Sequence, residues 1–489
     1  MNPRLTLASS VAGAVIVALD GTVLTLAQPT LQRELGASFA QVQWTSTGYL
    51  IAVAGLLVFA GRLGDRYGHH RVFGIGMLGF GAASAGIALA PGVGWVVGLR
   101  VVQGVFGALS QPATLGMLRA AYPPDRLRTP IAVRTAAIGV AAAAGPVIGG
   151  ALVAGPGWRA VFLLNVVPAL VFGALALAVR PAPAASPARL DLPGALLLAV
   201  TLACLVHALV AMPGWGWTAA TATVTGAAFI RHERRTASPL LPPDVIGSAA
   251  VGSALGMLVA ASAALSGALF VGTFLLQGTL ALDPFRSALV SLPLALLMVL
   301  AAPSCAVLLR RAGARRTTVA AMTVLALGIL ALSRASATPA LCAAFALVGA
   351  GFGTVMVAAT HVVVREAAVE APEGRAGGES PSARRPEGLS TVGLSTPAGA
   401  PRRRLRSKGL SAGVAGGLQQ TAMNLGPVLG VAAATALMGS GGGPELPLSI
   451  LAGVALAGAA LGRKLPGRPD DAIDDHGQSK DRTRVPARR

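Results

Sequence analysis

Apolar residues run along this chain in stretches of roughly 18 to 25, parted by short joints that carry much of the charge. A helix rises about 1.5 Å per residue, so about 20 such residues cross the roughly 30 Å hydrocarbon layer of a bilayer. The pattern predicts fourteen membrane-spanning helices, over residues 7–27, 46–61, 72–90, 94–117, 131–154, 160–179, 193–213, 217–231, 247–276, 285–308, 317–333, 337–361, 409–438 and 448–465. The eighth is short and the ninth long. A transmembrane barrel would show short alternating strands instead. The expected fold class is therefore an all-α polytopic membrane protein.

Composition agrees. Charged residues make up 12% and hydrophobic residues 54%, with a mean hydropathy of +0.68, where a soluble domain carries about 25% charge. The net charge of +20 invites a nucleic-acid reading, but its distribution argues against one. Of 39 basic residues, eight lie between Arg375 and Lys408 and eight between Arg463 and Arg489. Aromatic platforms for stacking bases are absent, so no nucleic-acid partner is expected. Cys204, Cys305 and Cys342 fall inside apolar runs and read as small core residues. No catalytic, metal-ligand or cofactor pattern stands out, and an enzyme is not expected.

The joints set an orientation. Alternate ones hold Arg62, Arg66 and Arg71; Arg119, Arg126, Arg128 and Arg134; Arg180 and Arg189; Arg231, Arg234 and Arg235; and Arg310, Arg311, Arg315 and Arg316. The others hold only Arg33, Arg159, Arg286 and Arg334. Positive charge stays on the cytoplasmic side of a membrane, so both termini are expected there, in the plasma membrane of a bacterium. Arg4 and the apolar run after it resemble a signal peptide, but no convincing cleavage site follows, and the run reads as a retained first helix. Residues 366–408 hold Glu, Gly, Pro, Ser and Arg with almost no large apolar residue, and read as a disordered cytoplasmic insertion. Residues 466–489 read as a disordered basic tail, able to graze anionic membrane lipids.

An internal echo suggests two parallel halves. The joint from Asp65 to Arg71 is matched by Arg310 to Arg316, and Gly145-Pro146-Val147-Ile148-Gly149 by Gly426-Pro427-Val428-Leu429-Gly430. The first offset is 245 residues and the second 281, a difference close to the length of the insertion between the second-half copies. Duplicated halves are a common build for secondary transporters.

Gly61-Arg62-Leu63-Gly64-Asp65-Arg66-Tyr67-Gly68-His69-His70-Arg71 forms a tight basic turn in which glycines let two helix ends approach. It resembles the signature loop of the major facilitator superfamily. Leu19-Asp20-Gly21-Thr22-Val23, continuing to Pro29, is similar to the first-helix motif of that superfamily's fourteen-span drug:proton antiporters. Arg100 to Gly107 resembles their fourth-helix motif, and Gly139 to Gly150 their fifth-helix antiporter motif. Trp158-Arg159, Phe162 and Asn165, Asp191 with Gly194, and the stretch from Gln277 to Pro293 match further positions. Thr25 and Ala27-Gln28-Pro29 depart from the family's Asn and Ala-Leu-Pro.

The resemblance implies two six-helix bundles plus two extra central helices: a first bundle over 1–180, a linker with the extra pair over 181–235, and a second bundle over 236–465. It implies a monomer that exchanges a small-molecule substrate for protons. Asp20 and Arg100 are the expected proton-coupling residues, since a charge inside a span is costly and kept for a partner or a proton. Gly61, Gly64, Asp65, Arg66, Gly68 and Arg71 form the expected conformational latch, and Gly145, Pro146, Gly149 and Gly150 the expected antiporter bend. Gln28, Gln103, Gln277, Gln419, Gln420 and Asn424 offer neutral hydrogen bonds and are candidates to line the cavity. Interior carboxylates beyond Asp20 are scarce, which argues against strongly cationic cargo. The expected activity is proton-coupled efflux of hydrophobic or amphiphilic molecules such as antibiotics. Transport of a siderophore, lipid or nutrient, or a non-transporting scaffold or sensor, remains the alternative.

Overall fold

The computed structural model describes residues 2–123, 126–178, 190–210, 216–236, 239, 249–369, 412–439, 443–463 and 465. These residues form fourteen helices and no strand. They are α1 (Pro3–Leu35), α2 (Phe39–Tyr67), α3 (His69–Ala88), α4 (Val93–Ala121), α5 (Arg128–Ala154), α6 (Trp158–Ala178), α7 (Leu192–Val210), α8 (Gly216–Arg235) and α9 (Ala249–Phe274). A continuous helical run, Pro284–Arg334, breaks at Gly313, whose φ of 76° turns the chain back on itself. Its two arms are α10 (284–312) and α11 (314–334). α12 (Thr338–Val369), α13 (Ala412–Gly439) and α14 (Glu445–Gly462) complete the set. The chain enters α1 and leaves α14 on one face, which we term the terminal face; the opposite face is the far face.

Thirteen of these helices are long and apolar enough to cross a membrane, and α8 is the exception. Its 20 residues still measure about 30 Å. Its polarity comes from threonines, and the hydroxyls of Thr221, Thr223 and Thr225 donate to carbonyls one turn back along the same helix. Thr201 of α7 adds a bond of 3.0 Å to Thr225. The two helices form a hairpin whose α7 rests on α2 and α13.

Helix ends overshoot the apolar runs. α1 reaches Leu35, eight residues past the predicted 27, capped by Gly36. α12 continues to Val369, so residues 366–369, expected in the disordered insertion, are helical. The rest of that insertion and the basic tail from 466 lie outside the described residues.

In the first bundle α1 packs on α4, α5 and α6, α2 on α4, and α3 on α4 and α6; in the second, α9 packs on α13 and α14, and α12 on α10 and α11. The bundles meet where α5 lies against α10 and α2 against α13. One apolar cluster crosses the seam, with Val23, Leu24, Ala27 and Leu31 of α1 packed among Phe270, Phe274, Leu276 and Val290. Phe39 meets Phe274 edge to face at 5.0 Å. These contacts lie toward the far face. Midway along α1, Gly21 is exposed and an added methyl there would touch nothing.

Candidate functional site

Five helices of the first bundle converge on Asp20. Its Oδ2 lies 2.6 Å from an Arg100 guanidinium nitrogen. Its Oδ1 accepts from Asn165 Nδ2 at 2.9 Å and from Gln103 Nε2 at 3.3 Å. Arg100 also donates through Nε to the Thr45 carbonyl at 2.8 Å, and to the side-chain oxygen of Gln103. Gln103 continues to Ser84 Oγ at 2.7 Å, and Ser84 donates to the Phe80 carbonyl. The Tyr49 ring faces the guanidinium, with 4.3 Å from ring centre to Cζ. Asp20 and Arg100 are 2% and 1% exposed, which puts the pair out of reach of water.

Helical spacing explains the assembly. Arg100 and Gln103 share a face of α4 three residues apart, so one helix supplies both the cation and the amide beside it. α1 supplies the carboxylate, α2 the Thr45 carbonyl and the Tyr49 ring, α3 Ser84 and α6 Asn165. Removing one member of such a buried pair costs about 3–5 kcal/mol. The network is thus both a lock on α1 and the one place among the described residues where a carboxylate and a cation face each other deep within the spans.

The signature loop is a one-residue joint between α2 and α3. Gly68, at φ 92°, takes a conformation that side chains with a Cβ disfavour. Asp65 pairs with His69 at 3.2 Å, four residues on. The His69 ring fills the space between Gly64 of α2 and Gly116 of α4. Arg66 lies over Tyr67, Arg71 is exposed, and Arg62 donates to the Pro239 carbonyl at 2.9 Å, tying α2 to the chain beyond α8. Gly61 faces Pro112 of α4. On the linker side, Asp191 accepts from Gly194 N and sits 2.7 Å from His232 of α8.

α5 stays helical through Pro146. The glycines around it serve two partners. A side chain at Gly145 or Gly149 would strike Thr22 or Val23 of α1, and one at Gly150 would meet the Pro284 carbonyl and Ala288 of α10 at 2.8 Å. The motif therefore clamps α1 on one side and closes the seam between bundles on the other.

The neutral amides scatter. Gln28 is buried and donates to Ser46 at 2.8 Å, and Gln103 belongs to the Asp20 network, so neither lines open space in this state. Gln419 donates to Thr360 at 2.7 Å, Gln420 is exposed, and Asn424 is buried with its Nδ2 unpartnered. Gln277 lines a far-face cavity and donates to the Leu26 carbonyl of α1 at 3.0 Å. Sequence reasoning missed Tyr49, Thr45 and Ser84 altogether, and noted Asn165 only as part of a motif; no charge or spacing marks them.

The fold and the buried pair define a polytopic secondary transporter. The profile of the Major Facilitator Superfamily matches residues 11–378, and the chain belongs to that superfamily. It is 36% identical over 459 residues to the tetracenomycin C resistance and export protein of Streptomyces glaucescens, covering 91% of this chain and 78% of that protein. It is 34% identical to the puromycin resistance protein of Streptomyces alboniger, covering 73% and 74%. A probable actinorhodin transporter of Streptomyces coelicolor is 33% identical, over 64% of this chain and 57% of that protein. These similarities place it in the drug-resistance and efflux branch; it is a transporter, not an enzyme.

Proposed function

We propose that this chain exports an antibiotic or a similarly amphiphilic small molecule across the plasma membrane in exchange for protons, with Asp20 as the proton carrier. The observation that carries the reading is the buried Asp20–Arg100 pair, 2.6 Å apart and held by three further helices. Protonating Asp20 cancels the charge that Arg100 neutralises, and frees α1 from its tightest hold on α4. α1 also carries Val23, which lies against Gly149 of α5. A proton at Asp20 therefore acts on a helix whose Val23, Leu24, Ala27 and Leu31 pack across the seam between the bundles. Relatives named for antibiotic resistance and export support antibiotic cargo.

The terminal face is assigned to the cytoplasm. It carries Arg62, Arg66, Arg71, Arg119, Arg126, Arg310, Arg311, Arg315 and Arg316, and the far face Arg33, Arg159, Arg286 and Arg334. The first bundle is assigned to 1–180, the extra pair to 181–235 and the second bundle to 236–465, in a monomer solvated by membrane lipid. The Asp65–His69 pair at the joint of α2 and α3 acts as the latch on the cytoplasmic side.

Everted vesicles test the reading. Wild type should accumulate drug only with an imposed proton gradient, and Asp20→Asn should abolish this while inserting normally. Gradient-dependent uptake of equal rate by Asp20→Asn would remove Asp20 as carrier.

A further inference from the structure

At the far end of the seam lies a cavity of about 490 Å³ whose wall comes from both bundles. That volume suits a small organic ligand. Phe39 and Phe274, edge to face at 5.0 Å, with Leu275 and Met438, supply an apolar wall.

Four polar side chains also line it: Gln32, Arg33, Gln277 and Thr279. Arg33 donates to Thr30 Oγ1 at 3.4 Å, and among the described residues no carboxylate pairs with it. Glu34 beside it is taken up by Trp158 Nε1 at 2.8 Å and by Arg159 at 3.3 Å, so it leaves the charge of Arg33 uncancelled. Gln277 is 4% exposed; its Nε2 is spent on Leu26, and its Oε1 has no partner. That oxygen is sealed from solvent, so Gln277 serves to tie the cavity wall to α1.

The backbone holds Gln277 there by an unusual device. Leu275–Thr279 form one turn of π-helix, a form found mostly as single turns and frequently at functional sites. Ala281, two residues on, takes a φ of 52°, which residues with a Cβ rarely adopt.

We propose that this cavity binds an aromatic organic anion. The anion pairs with Arg33, and the ring lies against Phe39 and Phe274. Because both bundles build the wall, a ligand bound from the far face favours the arrangement in which they are closed there. On the export reading above, such a ligand accumulating outside slows further export.

Binding of 1-hydroxy-2-naphthoate and its uncharged methyl ester to the purified full chain in lipid nanodiscs, by equilibrium dialysis, tests the site without any gradient. Wild type should bind the acid saturably and at least tenfold more tightly than the ester. Arg33→Gln, a change at an exposed position, should weaken the acid at least tenfold and leave the ester unchanged. Filling the cavity with Met438→Trp should weaken both. Failure of wild type to bind the acid, or equal acid binding by Arg33→Gln, overturns the site. In vesicles that export drug, the acid on the far-face side should slow wild type more than Arg33→Gln; equal slowing overturns the feedback. Absence of any gradient-driven export would instead sink the export reading and leave the binding result standing.

Discussion

Asp20 keeps its two oxygens occupied by three side chains, and those side chains differ in what else they hold. Asn165 serves Asp20 at 2.9 Å, whereas Gln103 also binds Ser84 and receives a bond from Arg100. Losing one buried donor costs about 1–3 kcal/mol, and leaving a buried charge without its partner about 3–5 kcal/mol. Thermal unfolding of the purified protein should therefore rank Arg100→Leu as most destabilised, Gln103→Leu next and Asn165→Leu least. An Asn165→Leu protein less stable than Arg100→Leu would contradict this network. Asp20 and Arg100 were legible in the sequence because charges inside apolar runs are conspicuous. Tyr49, Thr45, Ser84 and Asn165 were not, since an uncharged residue on each of three other helices gains its role only when tertiary packing brings them together.

Among the helices, α5 touches both α1 and the second bundle through its glycines. Gly150 abuts α10 so closely that even a methyl would lie 2.8 Å from Ala288 Cβ, while one at Gly139, eleven residues earlier, would touch nothing. Gly150→Val should keep the bundles from meeting on the far face and lower export at least tenfold with normal membrane insertion. Gly139→Ala should export like wild type. Comparable export rates for Gly150→Val and Gly139→Ala would show that the seam does not need this contact. Thirteen segments were legible as long apolar runs and the threonine-rich α8 only as a short one, and the Gly313 break fell where a joint was expected. Helix ends were not, because α1 and α12 run past the apolar stretch into polar residues whose backbone bonds continue regardless. The π-turn after α9 left no mark in composition either.

At the scale of the whole molecule, the helices pack as two bundles in contact, the build that the resemblance implied. The sequence could not tell which face the bundles share, because apolar residues pack equally well against lipid or against each other. That choice shows only in contacts such as Phe39–Phe274 and Gln277–Leu26. The orientation itself is testable: a cysteine at Ser38 should react with an impermeant maleimide from outside intact cells, and one at Arg71 only after permeabilisation. The reverse pattern would invert the assigned topology.

On the export reading, Asp20 couples protons to cargo without being needed to bind the cargo. Drug counterflow and gradient-driven drug accumulation, measured side by side in proteoliposomes of wild type and Asp20→Asn, separate those two roles. Counterflow in the variant near the wild-type rate, with gradient-driven accumulation abolished, is the predicted result. Gradient-driven accumulation that survives in Asp20→Asn at the wild-type level would contradict it.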